Sequence, residues 1–388
     1  MNYKSILNLL GILLVIFSLS FIPPLMLSVF YDEPLNGIFL YSFLFLITLG
    51  CLMWFTSRQK DLPLNISDGF IITTMFWVVL AFAGSIPFYF FGLNASDAIF
   101  ESVSGITTTG ATVIVGLDEL PKSLLLYRQL LQWIGGMGLI ILAVAVMPTL
   151  GIGGGQLYKM ELPGSHGNQK LTPKITDSAK ALWKIYFGLT IICALLYLLS
   201  GMNLFDAIAH SLSTVAGGGF STHDDSIGFF DSGLIEAVCI IFMLLSAASF
   251  AVHYAAIFGG KPLKYFYDSE FRFFLSVVIS IAIVILIFHT VNDSYAEFLL
   301  AVRTSIFHTV SIVTTSGFTT ENFSLWPSFL PYLLLVGAFM GACSQSVGGG
   351  IKTWRVLIMV KQAYKEILNI IHPNAVLSSK IGNKVIDS

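Results

Sequence analysis

One short stretch recurs three times along the chain and constrains its fold more than any other feature. The copies are DAIFESVSGITTTGAT from Asp97, DAIAHSLSTVAGGGFS from Asp206 and TSIFHTVSIVTTSGFT from Thr304. They align without a gap, and the glycines at one shared position are Gly110, Gly219 and Gly317. A spacing of about 100 residues is too long for a solenoid repeat. The sequence therefore predicts duplicated modules that each carry one short special element.

Each copy has two parts. The first has helical periodicity but is too short to cross a bilayer, which takes about 20 residues. The second consists of Thr, Ser and Gly, and glycine tolerates the positive φ that turns backbone carbonyls to one side. A helix that ends there points the negative end of its dipole at the same place, which favours a cation. The pattern predicts a pore helix followed by a selectivity filter, and the alternative is a Gly/Ser/Thr seam for helix packing.

The composition indicates a membrane protein. Only 11% of the residues are charged, against about 25% in soluble domains. Eight apolar runs approach the ~20 residues of a spanning helix; they are 5–30, 35–57, 69–93, 129–150, 185–203, 237–259, 273–291 and 328–351. The predicted fold is an all-α polytopic membrane protein, with an N-terminal helical hairpin and three span–pore-loop–span repeats around a central ion pore.

The predicted units follow from the positions of these runs. They are an N-terminal two-helix hairpin at 1–60, pore repeats at 61–165, 166–262 and 263–365, and a cytoplasmic segment at 366–388. Every basic residue except Lys122, Arg128 and Arg303 falls on one side if the N-terminus is inside. Basic loops stay in the cytoplasm, so both termini are expected there.

Acidic residues follow each predicted filter on the opposite side of the membrane. They are Asp118, Glu119, Asp224, Asp225, Asp231 and Glu321. They predict either an acidic vestibule that concentrates cations or ordinary solvated loop charge.

The last apolar run is interrupted by GACSQSVGGGIK, from Gly341 to Lys352. Each glycine costs a helix about 1 kcal/mol relative to alanine, and a broken helix must expose its backbone to a cavity. One hypothesis is a flexible gating loop under the filter. The other is a helix C-terminus that leads into the cytoplasm at Lys352.

The sequence gives little support for phosphate binding, metal binding or catalysis. The glycine-rich GIGGG at Gly151–Gly155 lacks the Gly-Lys-Ser/Thr ending of a phosphate loop. His223-Asp224-Asp225 lacks a second, spaced pair of metal ligands. No nucleophile stands beside a base, so we predict no enzyme, no catalytic residue, no organic cofactor and no nucleic-acid partner.

The motifs together resemble a known family. They are FESVSGITTTGAT at Phe100–Thr112, LPKSLLLYRQLLQWIGGMG at Leu120–Gly138, LTPKITDSAKALW at Leu171–Trp183, GGGFSTHDDSIGFFDS at Gly217–Ser232, TTSGFTTENFSLWP at Thr314–Pro327 and GGGIKTWR at Gly348–Arg355. Throughout its length the chain resembles the TrkH/TrkG branch of the Trk/Ktr/HKT potassium-transporter superfamily.

The resemblance implies potassium uptake across the bacterial inner membrane, with K+ as the transported ion. It also implies a homodimer in the lipid bilayer, in which each subunit has its own pore, and a cytoplasmic nucleotide-binding partner of the TrkA type. The implied filter segments are Thr108, Thr109, Gly110 and Ala111; Gly217, Gly218, Gly219 and Phe220; and Thr315, Ser316, Gly317 and Phe318. The implied gating loop is Gly341–Gly350, including Gln345, Gly348 and Gly349.

One departure from the family bears on activity. The family has four such units around one pore and a pore arginine in the fourth, whereas this chain has three units. Truncation is the expected explanation, and a separately encoded unit or a second copy are the alternatives. The leading prediction is a passive, gated potassium channel. A symporter that couples K+ to H+ or Na+, and a non-conducting subunit, remain the alternatives.

Overall fold

The computed structural model describes residues 3–58, 66–146, 175–372, 379–381 and 384–386. Within these ranges, five helices are long and apolar enough to cross a membrane, or six if one sharply bent pair counts as a single span. The predicted all-α polytopic fold is confirmed. The exception is a small antiparallel pair of strands, β1 (Ser379–Ile381) and β2 (Lys384–Ile386).

The described helices fall into two runs. The first is α1 Tyr3–Ser18, α2 Ile22–Phe30, α3 Asn36–Thr56, α4 Ile66–Phe91, α5 Ala95–Ile106 and α6 Lys122–Val146. The second is α7 Ile175–Leu199, α8 Leu204–Ala216, α9 Gly233–Ala247, α10 Phe250–Ile257, α11 Lys264–Tyr267, α12 Ser269–Val291, α13 Phe298–Val313, α14 Leu330–Met340 and α15 Thr353–Ile371.

The N-terminal hairpin packs through glycine. A Cβ atom on Gly11 of α1 would lie 2.8 Å from the carbonyl oxygen of Gly50 in α3, so only glycine allows these helices to lie so close. Behind the hairpin, Tyr127 of α6 is fully buried and donates a hydrogen bond of 2.7 Å to the Gly84 carbonyl of α4. The Tyr127 ring also packs against Phe21 and Phe39, with ring centroids 5.5 and 5.6 Å apart, and these contacts join the hairpin region to the first repeat.

In each predicted repeat, a shorter helix follows the first long apolar helix. The groups are α4–α5–α6, α7–α8–α9 with α10, and α12–α13–α14. One buried apolar cluster forms around α1 to α6, and another around α7 to α14. The limits of the predicted units stay a prediction: residues 60, 61, 165 and 166 lie outside the described residues, and α15 continues past residue 365.

Two predicted spans are not continuous helices. The span predicted at 237–259 is wrong as a single helix, because α9 and α10 meet at an angle of 103°. At the break, the Ser249 side chain accepts a hydrogen bond from Ala251 N and caps α10. In the span predicted at 328–351, α14 ends at Met340 and the next helix begins at Thr353. The span predicted at 129–150 begins earlier, at Lys122, and its residues 147–150 lie outside the described residues.

Candidate ion-conduction site

Three short helices, α5, α8 and α13, carry the predicted pore-helix sequences. The first two begin in the same way: Asn94 and Asn203 each accept a hydrogen bond of 2.9 Å from the backbone N–H three residues later. Asparagine is a preferred residue for this N-terminal capping role. The third begins after Glu297 with no side-chain cap. The helices end at Ile106, Ala216 and Val313, directly before the predicted filter segments.

The backbone repeats the same conformation in all three filter segments. The first position has φ of 55° at Thr108, 64° at Gly217 and 63° at Thr315. The third position has φ of 77° at Gly110, 79° at Gly219 and 85° at Gly317. Glycine adopts this left-handed region freely, but threonine rarely does. The positive φ of the two threonines is therefore imposed by their surroundings. The positions of the glycines in the sequence could not predict it.

The filter segments lie side by side. A Cβ atom on Gly110 would lie 2.1 Å from the carbonyl oxygen of Gly218. A Cβ atom on Gly219 would lie 1.9 Å from the carbonyl oxygen of Ser316. The structure thus brings the three predicted filter segments together in chain order, with contacts that only glycine permits.

The fourth position of two segments is tied back to its own pore helix. Ser104 donates a hydrogen bond of 2.5 Å to the Ala111 carbonyl, and Ser311 donates one of 2.6 Å to the Phe318 carbonyl. These oxygens already serve an internal hydrogen bond.

Two polar side chains of α6 support the filter segments from behind, and sequence reasoning missed both. Arg128, one of the three basic residues that the sequence places on the outer side, is fully buried. Its Nε lies 2.7 Å from a carboxylate oxygen of Glu101, which is equally buried. The same guanidinium donates to Thr112 Oγ1 at 3.0 Å and to the Ser221 carbonyl at 3.2 Å. Arg128 therefore joins the ends of the first and second filter segments.

The second buried side chain is Gln132, one turn further along α6. Its Nε2 donates to the Gly218 carbonyl at 2.7 Å. Its Oε1 accepts from Ser213 Oγ at 2.7 Å and from Phe220 N at 3.1 Å. No periodicity or motif could identify this residue, because its partners lie more than 80 residues away in sequence.

Histidine occupies the position of Glu101 in the other two copies. His210 is hydrogen-bonded to the Asp206 carbonyl and to Ser221 Oγ, both at 2.9 Å. His308 is hydrogen-bonded to the Thr304 carbonyl at 3.1 Å and to the Glu321 carbonyl at 3.3 Å. Each ring connects its pore helix to the chain that leaves the filter segment.

The loops that follow the filter segments, here called the mouth loops (residues 113–121, 222–232 and 319–329), are joined by acidic side chains. Asp224 accepts hydrogen bonds from the N–H groups of Gly116 and Leu117, at 3.1 and 3.0 Å. Asp225 and Glu321 help to line a cavity of about 520 Å³ between the second and third loops. Asp224 therefore holds two loops together, and the predicted cation-concentrating vestibule stays a prediction.

His223 lies between two carboxylates in the second mouth loop. Burial disfavours the charged ring, but hydrogen bonds to Asp206 and Asp118 outweigh this effect and raise the pKa of His223. The hydrogen bond from His223 lowers the pKa of Asp118. In the described part of the chain, no group of three or more His, Cys, Asp or Glu residues could hold a metal ion.

The predicted gating loop, residues 341–350, lies against the third filter segment. Gly349 N donates a hydrogen bond of 2.6 Å to Thr315 Oγ1. The Gln345 carbonyl accepts from Phe250 N at 2.9 Å, at the bend between α9 and α10. Gly341, Gln345 and Gly350 all have positive φ. Gly348 also lies close, since its Cβ would be 2.8 Å from the Thr314 carbonyl.

Comparison with known proteins assigns the family. A family model described as TrkH, a cation transport protein, matches residues 37–388. The chain belongs to the TrkH family. The Trk system potassium uptake protein TrkH of Halomonas elongata is 47% identical to it over 98% of this chain and 80% of that protein. The Trk system potassium uptake protein TrkG of Escherichia coli is 41% identical over 99% of this chain and 80% of that protein.

A solved structure agrees with this assignment. The crystal structure of the potassium transporter TrkH from Vibrio parahaemolyticus superimposes with a TM-score of 0.89 at 44% identity. It covers 100% of this chain, and the chain covers 80% of that structure. The described helices therefore have the TrkH arrangement.

One carboxylate in this TrkH family member holds the chain on both sides of the three consecutive glycines in the predicted gating loop. Glu270, at the start of α12, accepts hydrogen bonds from Ser344 N at 2.5 Å and from Trp354 N at 3.1 Å. Thr353 Oγ1 adds a hydrogen bond of 3.0 Å to the Gly341 carbonyl. Lys352 Nζ donates to the Gly348 carbonyl and closes the loop upon itself. Sequence reasoning missed Glu270, which looks like an ordinary helix-start acid.

Replacing Glu270 with alanine is expected to loosen this loop. A hydrogen bond typically contributes about 0.5–1.5 kcal/mol to stability, and the alanine variant leaves two backbone N–H groups without an acceptor. Amide hydrogen exchange of residues 341–354 should become faster, while Glu270→Gln, which keeps the acceptor oxygen, should change it less. The matched control is Glu366→Ala, whose exposed carboxylate accepts a hydrogen bond from Gln362 on its own helix and lies far from Glu270 in sequence. Equal exchange in Glu270→Ala and wild type would contradict the anchor.

Proposed function

We propose that this chain is the channel-like translocating subunit of a Trk-type potassium uptake system in the bacterial inner membrane. Its family consists of cation transport proteins, and the relatives described above are named potassium uptake proteins. The observation that carries the proposal is the shared backbone conformation of three adjacent, glycine-centred segments. Backbone carbonyls arranged around an ion can replace its hydration shell.

The ion pathway would run past the filter segments and then past the gating loop. The second and third positions, Thr109 and Gly110, Gly218 and Gly219, and Ser316 and Gly317, would offer the carbonyl oxygens. Thr315 would connect the two parts, because its side chain accepts a hydrogen bond from Gly349. Movement of residues 341–350 would then directly displace the third filter segment. Uptake would be driven by the membrane potential, at about 2.3 kcal/mol per charge for each 100 mV.

The proposal includes the partners of a Trk system. We propose a homodimer that binds a cytoplasmic nucleotide-binding subunit of the TrkA type. An apolar stripe on α15 supports a protein contact at this end: Val360, Tyr364, Ile367 and Ile371 are each at least half exposed and share one helix face. The mass of the purified protein in detergent, measured by light scattering, tests the dimer, and a monomeric mass would contradict it.

The test of transport is 86Rb+ uptake into proteoliposomes that contain the chain. We expect uptake that rises with an inside-negative potential and does not depend on a Na+ or pH gradient. Uptake that stops when Na+ or the pH gradient is removed would instead favour the coupled symporter. Vesicles that show no uptake above protein-free vesicles would favour a non-conducting subunit and overturn the proposal.

A further inference from the structure

The second filter segment is held differently from the other two. In the first and third copies, the pore-helix serine donates to the carbonyl that follows the central glycine, at Ala111 and Phe318. The equivalent serine of the second copy, Ser213, donates instead to Gln132 of α6. A residue from the first repeat therefore replaces an internal bond of the second.

Gln132 uses both ends of its amide on this segment. The oxygen accepts from Ser213 Oγ and from Phe220 N, and the nitrogen donates to the Gly218 carbonyl. The side chain is fully buried. A Cβ atom on Gly218 would lie 2.3 Å from Cδ of Gln132, so the amide fills the space that any other residue at 218 would need. The amide and the glycine are matched in shape as well as in hydrogen bonding.

The Gly218 carbonyl lies at the contact between two filter segments. It is the oxygen that a Cβ on Gly110 would meet at 2.1 Å. Its counterpart in the third segment, the Ser316 carbonyl, lies in the same relation to Gly219. Among the described residues, no side chain donates to the Ser316 carbonyl. The hydrogen bond from Gln132 therefore distinguishes the Gly218 oxygen from the equivalent oxygen of Ser316.

We propose that Gln132 is a positioning residue for discrimination between K+ and Na+, an inference that rests on the proposed function. Discrimination depends on the number and field strength of the carbonyl dipoles around the ion and on how firmly they are held. A hydrogen bond from Gln132 occupies one lone pair of the Gly218 oxygen and fixes its position. Without the amide, Gly218 O, Phe220 N and Ser213 Oγ all lose a partner. The carbonyls of the second segment could then adjust their positions to Na+ as well as to K+.

The experiment replaces the amide by a side chain of similar length that cannot form these hydrogen bonds. Gln132→Met is reconstituted in proteoliposomes, and the ratio of 86Rb+ uptake to 22Na+ uptake is measured. We expect the ratio to fall about fivefold, which corresponds to ~1 kcal/mol, the usual net contribution of one hydrogen bond. The matched control is Gln129→Met on the same helix, because Gln129 is equally buried and its amide has no hydrogen-bond partner in the described part of the chain. The control should keep the wild-type ratio.

A milder pair of variants covers the case in which Gln132→Met does not fold. Ser213→Ala removes one of the three hydrogen bonds and should lower the ratio by a smaller factor. Its control is Ser211→Ala, since the Ser211 hydroxyl donates to the Ile208 carbonyl of its own helix and to no filter segment among the described residues. If the folded variants at 132 and 213 keep the wild-type ratio, or lose both ions in parallel, the inference is wrong while the proposed function stands. If wild-type chains take up no 86Rb+, the proposed function fails and the inference fails with it.

Discussion

Gly219→Ala is expected to abolish 86Rb+ uptake. The new Cβ atom would lie 1.9 Å from the Ser316 carbonyl oxygen and 3.0 Å from its carbon. Both are backbone atoms, so they cannot swing away as the end of a flexible side chain would. Either the second or the third filter segment must move. The carbonyl oxygens of that segment would then no longer lie at the positions that an ion requires. Gly110→Ala should act in the same way, through its contact of 2.1 Å with Gly218 O.

Two further glycines separate this steric effect from backbone strain. Gly317 has φ of 85°, but a Cβ there meets no described atom within 4 Å. Gly116, in the first mouth loop, has φ of 75° and is equally open. Alanine at either position carries the cost of a left-handed non-glycine residue, about 1 kcal/mol or somewhat more, without the clash. We expect Gly116→Ala, which lies outside the filter segments, to keep uptake. We expect Gly317→Ala, at the third position of the third filter segment, to reduce uptake partly.

The measurements are uptake in proteoliposomes and the thermal midpoint of each variant in detergent. A folded Gly219→Ala protein with wild-type uptake would contradict the close packing of the second and third filter segments. Equal loss in Gly116→Ala and Gly219→Ala would assign the effect to backbone strain in general rather than to the filter contact.

Local sequence patterns predict the three pore-helix segments of this fold and the interruption of its last span. The gapless alignment of the three copies predicts short helices followed by glycine-centred segments, and α5, α8 and α13 end directly before those segments. The run of glycines after Met340 predicts the interruption of the last span. Each of these features depends on residues that are neighbours in sequence, so periodicity and glycine content reveal them.

The contacts that hold the segments together depend on distant residues and leave no local pattern. Arg128 looks like a cation just before a span, yet its partners include Ser221, 93 positions away. The positive φ of Thr108 and Thr315 is imposed by packing and contradicts the usual preference of threonine. The bend between α9 and α10 contains neither glycine nor proline, and Phe250 N there finds its acceptor in Gln345, on the gating loop.

The second large effect is expected at Arg128. Replacing it with methionine leaves Glu101 as a buried carboxylate whose cationic partner is gone, and removes the donors to Thr112 and Ser221. Breaking a buried ion pair on one side typically costs about 3–5 kcal/mol. The guanidinium also lies 4.3 Å from the ring centroid of Phe220, an attraction that methionine replaces only in part. We expect a large fall in the thermal midpoint and loss of uptake.

A second substitution tests whether the unpaired charge of Glu101 causes the loss of stability in Arg128→Met. Arg128→Met combined with Glu101→Gln removes both charges while keeping side chains of similar size. Because most of the penalty comes from an unpaired buried carboxylate, the double variant should be more stable than Arg128→Met alone. The control is Lys122→Met at the start of the same helix, where a cation lies over the Tyr31 ring at 4.3 Å; at such a site the contact contributes about 0.5–1 kcal/mol. A double variant no more stable than the single one would show that Arg128 acts through its bonds to the filter ends, and that its charge balance with Glu101 is secondary.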